Sequence, residues 1–207
     1  MESSKLISWL GTDADRWETA SIDPSGDNGF VATGFQAGMD PEPYQVFYTL
    51  DVRPGFIHGQ LTVKATGNGW HRELVLRRDE SGAWTWQALA EGECQLPAPG
   101  APRELEAELE GALDCDLGLS PLTNLMPVRR ANLHTDPGTC DVMVAWVAVP
   151  ELSLHAAPQR YEHLRRHDSG SAVRFTALDT GFTADLELDA DGLVLTYPGL
   201  ARRARST

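Results

Sequence analysis

Two aspartates, a Thr-Asn pair and twin arginines lie close together in the run from Gly111 to Arg130. Asp114 and Asp116 sit two apart in an alternating segment, so both project from one sheet face, opposite Leu113, Cys115 and Leu117. Same-face carboxylates lie roughly 6.5–7 Å apart at the backbone. That spacing suits cation binding, acceptance of sugar hydroxyls, or an acid/base pair. A solvated face or ion pairs with a neighbouring strand is the plainer reading of the same spacing. In a buried setting the two negative charges repel, and a cationic or hydroxyl partner is required.

Arg129 and Arg130 can supply that partner if the Ser120-Pro121 turn folds the chain back. One guanidinium would then fork onto Asp114 or Asp116, or onto a ligand. Consecutive residues point apart, so both arginines are not expected to serve one carboxylate pair. A structural salt bridge holding helical turns against a sheet is the plainer alternative. Thr123 and Asn124 suit capping of the next turn or hydrogen bonding to a polar ligand.

Trp84 and Trp86 share one face of a strand, which suits stacking on sugar rings, lining an acyl pocket or ordinary core packing. Trp9, Trp17 and Trp146 read as structural. The six histidines show neither HxH nor HExxH spacing, and no Cys/His cluster forms, so no metal site is expected. Nucleophile elbows, Walker loops and dinucleotide fingerprints are missing, so no cofactor and no catalytic residue are assigned.

The elements that must position these groups are mostly strands. Tyr44, Val46, Tyr48, Leu50 and Val52 alternate with residues of a largely polar face. Leu61, Val63 and Ala65 repeat the pattern, as do Phe182, Ala184, Leu186 and Leu188. Asp79-Glu-Ser-Gly82 joins Glu73–Arg78 to Ala83–Leu89, and Asp189-Ala-Asp-Gly192 leads into Leu193, Leu195 and Tyr197 as a hairpin. These are antiparallel strands with one core face. Val142–Val149 is apolar on both faces and is expected to be a central, covered strand. Two stretches break the rhythm. Pro97–Pro102 is a rigid loop ahead of a charged segment, 103–110, with room for two helical turns. In Ser120–His134, Ser120 is placed as N-cap and Pro121 as first helical position, with the helix split near Pro127.

With 207 residues and no repeats, the chain is expected to form a single domain over residues 1–207. Seventeen basic against thirty acidic residues give a net charge of −13, which repels phosphate backbones and anionic lipid head groups and excludes nucleic acid as a general partner. No apolar run approaches a membrane span, so no stable membrane insertion is expected. The N-terminus has no secretory pattern, and Cys94, Cys115 and Cys140 are an odd set without CxxC spacing. Free thiols in a cytoplasmic protein follow as the expectation.

The Asp114/Asp116 block, Ser-Pro-x-Thr-Asn at Ser120–Asn124, Pro127 and Arg129-Arg130 form the specific part of a wider pattern. With Trp9, Gly82-Ala-Trp84, Tyr161 and the closing Tyr-Pro-Gly-Leu200, it resembles a bacterial family described as putative glycolipid-binding, long known only as a domain of unknown function. The resemblance spans nearly the whole chain. Family members often carry cysteine just after the glycine, whereas Ala112 follows Gly111 here and the cysteine stands at 115. The family resembles Lol-type lipoprotein carriers in fold. The implied fold is mainly β, a curved antiparallel sheet or incomplete β-barrel whose concave side holds a few short helices. Periplasmic shuttling does not follow from the fold.

The implied function is non-catalytic binding of an amphiphilic small molecule, a glycolipid or fatty-acyl compound, in the concave face. Asp114, Asp116, Thr123, Asn124, Arg129 and Arg130 would hold the polar head and Trp84 and Trp86 the acyl part. Two alternatives stand beside it: a glycoside-processing hydrolase using Asp114 and Asp116, and a purely structural protein with an internal ion-pair network.

Overall fold

The computed structural model describes residues 3–204. It holds one sheet of fourteen strands in the order β7-β6-β5-β4-β3-β2-β1-β14-β13-β12-β11-β10-β9-β8. The strands are β1 (Lys5–Gly11), β2 (Arg16–Pro24), β3 (Phe30–Gly38), β4 (Tyr44–Arg53), β5 (Ile57–Gly67), β6 (Trp70–Arg78), β7 (Trp84–Gly92), β8 (Asp114–Leu117), β9 (Thr139–Val147), β10 (Leu154–His167), β11 (Gly170–Ala177), β12 (Thr183–Asp189), β13 (Val194–Tyr197) and β14 (Ala201–Arg203). Every neighbouring pair is antiparallel except β8 with β9, which run parallel. Two meanders, β1–β7 and β9–β14, are joined where β14 pairs with β1, register Trp9 to Arg203.

The alternating faces form as expected. In β4 the residues at 44, 46, 48, 50 and 52 are buried and those between them exposed. Curvature has a local cause on the inner face. A β-carbon at Gly34 would lie 2.1 Å from the Tyr48 ring, so the bare glycine lets the aromatic cross the neighbouring strand toward β2. A small residue under a large one bends the sheet without opening a void. β13 departs from the expected pattern. Leu193, Val194 and Tyr197 are buried while Leu195 is half-exposed, because a bulge between Glu187 and Leu188 shifts the register against β13.

The concave side is filled by a plug: a 3₁₀ turn at Leu122–Asn124 leading into α2 (Leu125–Arg130). The helix changes type at Leu125, ahead of Pro127 rather than at it. Pro127 sits in the first α-turn, where its missing N–H has no intrahelical partner to lose. Ser120 Oγ accepts a hydrogen bond from Leu122 N at 3.2 Å, close to the capping role assigned to it. The other helix, α1 (Leu105–Glu108), is a single turn rather than two. It belongs to a loop that crosses from β7 to β8. Gly100 bridges Ser153, Trp86 Nε1 donates to Ala101 O at 2.9 Å, and Trp84 Nε1 donates to Ala112 O at 3.2 Å.

β9 is second from the sheet's end rather than central, and it is covered only in part: Val144, Ala145 and Val147, beside which β8 pairs, are buried, while Val142, Met143 and Trp146 are half-exposed. No helix of the described residues is long and apolar enough to cross a membrane.

Candidate functional site

The chain leaves β8 through Gly118, Leu119 and Ser120, with Leu119 in the left-handed region at φ +63°. A non-glycine residue there is uncommon and marks a tight reversal. It places the 3₁₀ turn directly over β8, so residues seven apart meet. Thr123 Oγ1 donates to Asp116 Oδ1 at 2.7 Å. Asp116 Oδ2 accepts from Gln159 Nε2 of β10, also at 2.7 Å. The hydroxyl of the buried Tyr161 lies 3.0 Å from Asn124 Oδ1 and 3.2 Å from Gln159 Oε1. Asn124 Nδ2 donates to Pro121 O at 3.2 Å, which locks the amide from its own turn. Burial pushes the Asp116 carboxyl above its ordinary pKa, against the pull of its Thr123 and Gln159 hydrogen bonds.

Asp114 and Asp116 share a face of β8, as the spacing requires, but their surroundings differ. Asp114 is completely buried and receives both Nη atoms of Arg130, the Nη1–Oδ1 bond at 2.6 Å. Arg130 Nη1 also donates to Phe56 O at 2.9 Å, which ties the plug to the opposite meander. Desolvation raises the Asp114 pKa, opposed by the Arg130 hydrogen bonds and charge. Arg129 points elsewhere, as expected for consecutive residues. It donates to Asp191 O at 2.8 Å and lies over the Phe56 ring at 5.2 Å.

A cavity of about 320 Å³, open on one side, lies beside Asp116. Leu117, Leu119, Trp146, Phe175, Phe182, Tyr197 and Leu200 provide most of its wall, Asp116, Ser120, Asn124 and Gln159 gather on one part of it, and Asp179 and Thr180 of the β11–β12 turn add a second polar part. Among the described residues, no lysine, arginine or histidine lines it. Phe182, 49% exposed, stands at the wall beside the β11–β12 turn.

Of the residues singled out from the sequence, the structure brings Asp116 and Asn124 to this cavity, with Thr123 directly behind Asp116. Asp114, Arg129 and Arg130 do not line it. Trp84 and Trp86 lie with the α1 loop, and Trp84 stacks on buried His58 with ring centroids 4.8 Å apart. Trp146, read as structural from sequence, lines the cavity. Trp17, also assigned to the scaffold, is exposed on the outer face. Gln159, Phe175 and Phe182 had no distinguishing motif. Alternation along β10 and β11 carries Gln159 and Phe175, and Phe182 stands just ahead of β12, but only tertiary pairing aligns them with Asp116.

A second buried cluster joins the plug to the first meander. Glu18 Oε1 accepts from Tyr48 Oη at 2.5 Å and from Ser120 Oγ at 2.7 Å. Burial lifts the Glu18 carboxyl to about 7, against hydrogen bonds from Ser120, Tyr48 and Gln36.

Residues 6–203 match the family described as putative glycolipid-binding. The fold is similar to the crystal structure of a DUF1089 family protein from Pseudomonas aeruginosa, with a TM-score of 0.69 and 25% sequence identity, covering 93% of this chain and 94% of that one. No match was found among curated proteins. A match over nearly the whole length, on a curved sheet of the same fold, means that the chain belongs to the putative glycolipid-binding family.

Proposed function

We propose that the protein binds, without covalent chemistry, an amphiphilic small molecule whose head group is uncharged and rich in hydroxyls. The carrying observation is the composition of the cavity wall: broad apolar and aromatic surface, acceptors and amides around Asp116, a further carboxylate at Asp179 and, among the described residues, no cation. Its volume falls at the lower end of the ~300–1,000 Å³ typical of small-molecule sites, and such sites combine an apolar lining with a few convergent polar groups.

Asp116 uses one lone pair on each oxygen for Thr123 and Gln159, which leaves acceptor capacity for ligand hydroxyls. Each amide has a further N–H for a sugar-type oxygen. Thr123 acts by orienting Asp116, and the Asp114–Arg130 pair by holding the plug in place. A phosphate or carboxylate head would face Asp116 with nothing to neutralise it. The family description supports a glycolipid as the natural occupant. Hydrolysis by the Asp114/Asp116 pair finds no support at this cavity, since Asp114 is engaged with Arg130 away from its wall. Three free thiols support placement in a reducing cytoplasm.

Thermal denaturation with alkyl glucosides and alkyl phosphates of equal chain length tests the reading. The glucosides are expected to raise Tm in a concentration-dependent way by mass action, and the phosphates are not. Ala177→Trp, which fills the cavity, is expected to abolish the shift. No shift with any glucoside, or an equal shift in the filled variant, overturns it.

A further inference from the structure

The tyrosine-over-glycine arrangement of Tyr48 and Gly34 occurs a second time. Tyr48, Gly34 and Ala20 stand in one cross-strand row of β4, β3 and β2, and Tyr44, Gly38 and Arg16 stand in another. A β-carbon at Gly38 would lie 2.5 Å from the Tyr44 hydroxyl oxygen, so this ring also lies across β3. The two rings end differently. Tyr48 donates to Glu18 Oε1 inside the protein. Tyr44 is only 6% exposed, yet among the described residues its hydroxyl has no hydrogen-bond partner. Burial raises its pKa, so the hydroxyl keeps its proton and remains a donor at neutral pH. A buried polar side chain with no partner is uncommon.

Tyr44 lines a second cavity, of about 520 Å³. The charges that act on its phenol, Arg16, Asp40 and Glu151, line the same cavity, which places the hydroxyl end of the ring at the wall. The opposite wall is held from behind by buried Arg72, which donates to Pro97 O and, at 2.9 Å, to Glu151 O. Arg16 is engaged with Asp13 at 2.6 Å, whereas among the described residues Asp40 and Glu151 have no ion-pair partner. Met39 and Pro97 add apolar surface. The two cavities adjoin. Leu119 belongs to the walls of both, and Arg16 Nη2 donates at 2.8 Å to the carbonyl of Leu200, which lines the first.

We propose that the second cavity is a subsite for a further sugar ring of the ligand's head group, with Tyr44 Oη donating to that ring and Asp40 and Glu151 accepting from its hydroxyls. The subsite rests on the amphiphile reading above and narrows the ligand to one with at least two sugar units, the first beside Asp116 and the second past Leu119. The chemistry of the wall selects this class. An ammonium group has no lone pair for Tyr44 to donate to. A phosphate would meet the carboxylates of Asp13, Asp15, Asp40 and Glu151. A sugar hydroxyl both accepts and donates, and the C–H faces of its ring suit Met39 and Pro97.

Isothermal titration calorimetry with an alkyl glucoside and an alkyl maltoside of equal chain length, each below its micelle-forming concentration, tests this. The maltoside is expected to bind at least about tenfold more tightly than the glucoside. Tyr44→Phe removes only a hydroxyl that no protein group uses, so Tm and the glucoside Kd are expected to stay at their wild-type values. The same substitution is expected to weaken maltoside binding at least about threefold, and Asp40→Ala to do likewise. Equal or weaker binding of the maltoside, or a maltoside preference that survives both substitutions, overturns the subsite and leaves the amphiphile reading standing. Binding of neither glycoside overturns both.

Discussion

Ser120 and Glu18, 102 residues apart in the chain, share a hydrogen bond of 2.7 Å deep inside the protein. This contact fastens the start of the plug to β2 on the far side of the concave face. Tyr48 completes it by reaching over Gly34. The cavity wall at Ser120 and the first meander are therefore mechanically one unit.

The Glu18 carboxyl makes that unit sensitive to pH. Its pKa rises from 4.5 to about 7 on folding, so the folded state holds the proton more tightly than the unfolded chain. The neutral form's stabilisation is complete below pH 4.5 and is lost as pH rises through 7. The full loss is on the order of 3 kcal/mol. Wild-type stability in urea is expected to fall between pH 5 and pH 8. Glu18→Gln is expected to flatten that slope and to be the more stable protein at the alkaline end.

His58 imposes the opposite slope in acid. Burial against Trp84 lowers its pKa from 6.5 to about 3. A depressed histidine stabilises the fold above pH 6.5, and that contribution is lost as pH falls toward 3. His58→Phe is expected to shift the acid-unfolding midpoint downward, read by tryptophan fluorescence across a pH titration.

Arg130 and Asp116 are expected to separate stability from binding. Arg130→Met leaves Asp114 buried without its counter-charge, and such a break costs about 3–5 kcal/mol. Chemical denaturation should register that loss. Asp116→Asn keeps one oxygen acceptor and removes a desolvated charge, so it is expected to change stability by less than about 1 kcal/mol. It should nonetheless reduce the Tm shift produced by an alkyl glucoside.

Gly34→Ala tests the curvature argument. The new methyl collides with the Tyr48 ring, and overpacking of this kind costs about 1–3 kcal/mol. Because Tyr48 also holds Glu18, the substitution is expected to alter the pH dependence as well as the midpoint of denaturation.

The strands were legible from residue order alone, because alternation of apolar and polar side chains is local. So was the shared face of Asp114 and Asp116, which follows from a two-residue period. The guanidinium partner of Asp114 was narrowed to two adjacent arginines, since only one of a consecutive pair can turn inward. Which carboxylate would be neutralised, and which would face a cavity, had no local signature. The left-handed turn at Leu119 set that choice by laying the 3₁₀ segment over β8. The cavity's other walls come from β9, β10, β11 and β13 and their connecting turns, successive parts of one meander whose curvature round the plug has no local signature. Trp146 and Gln159 read as ordinary strand residues for this reason, and Trp84 and Trp86 read as candidates for a wall they do not join. Local order thus determined the elements and their faces. The wrapping of the open sheet around its plug decided which polar groups meet, because a side chain's neighbours across strands are not encoded by its neighbours along the chain.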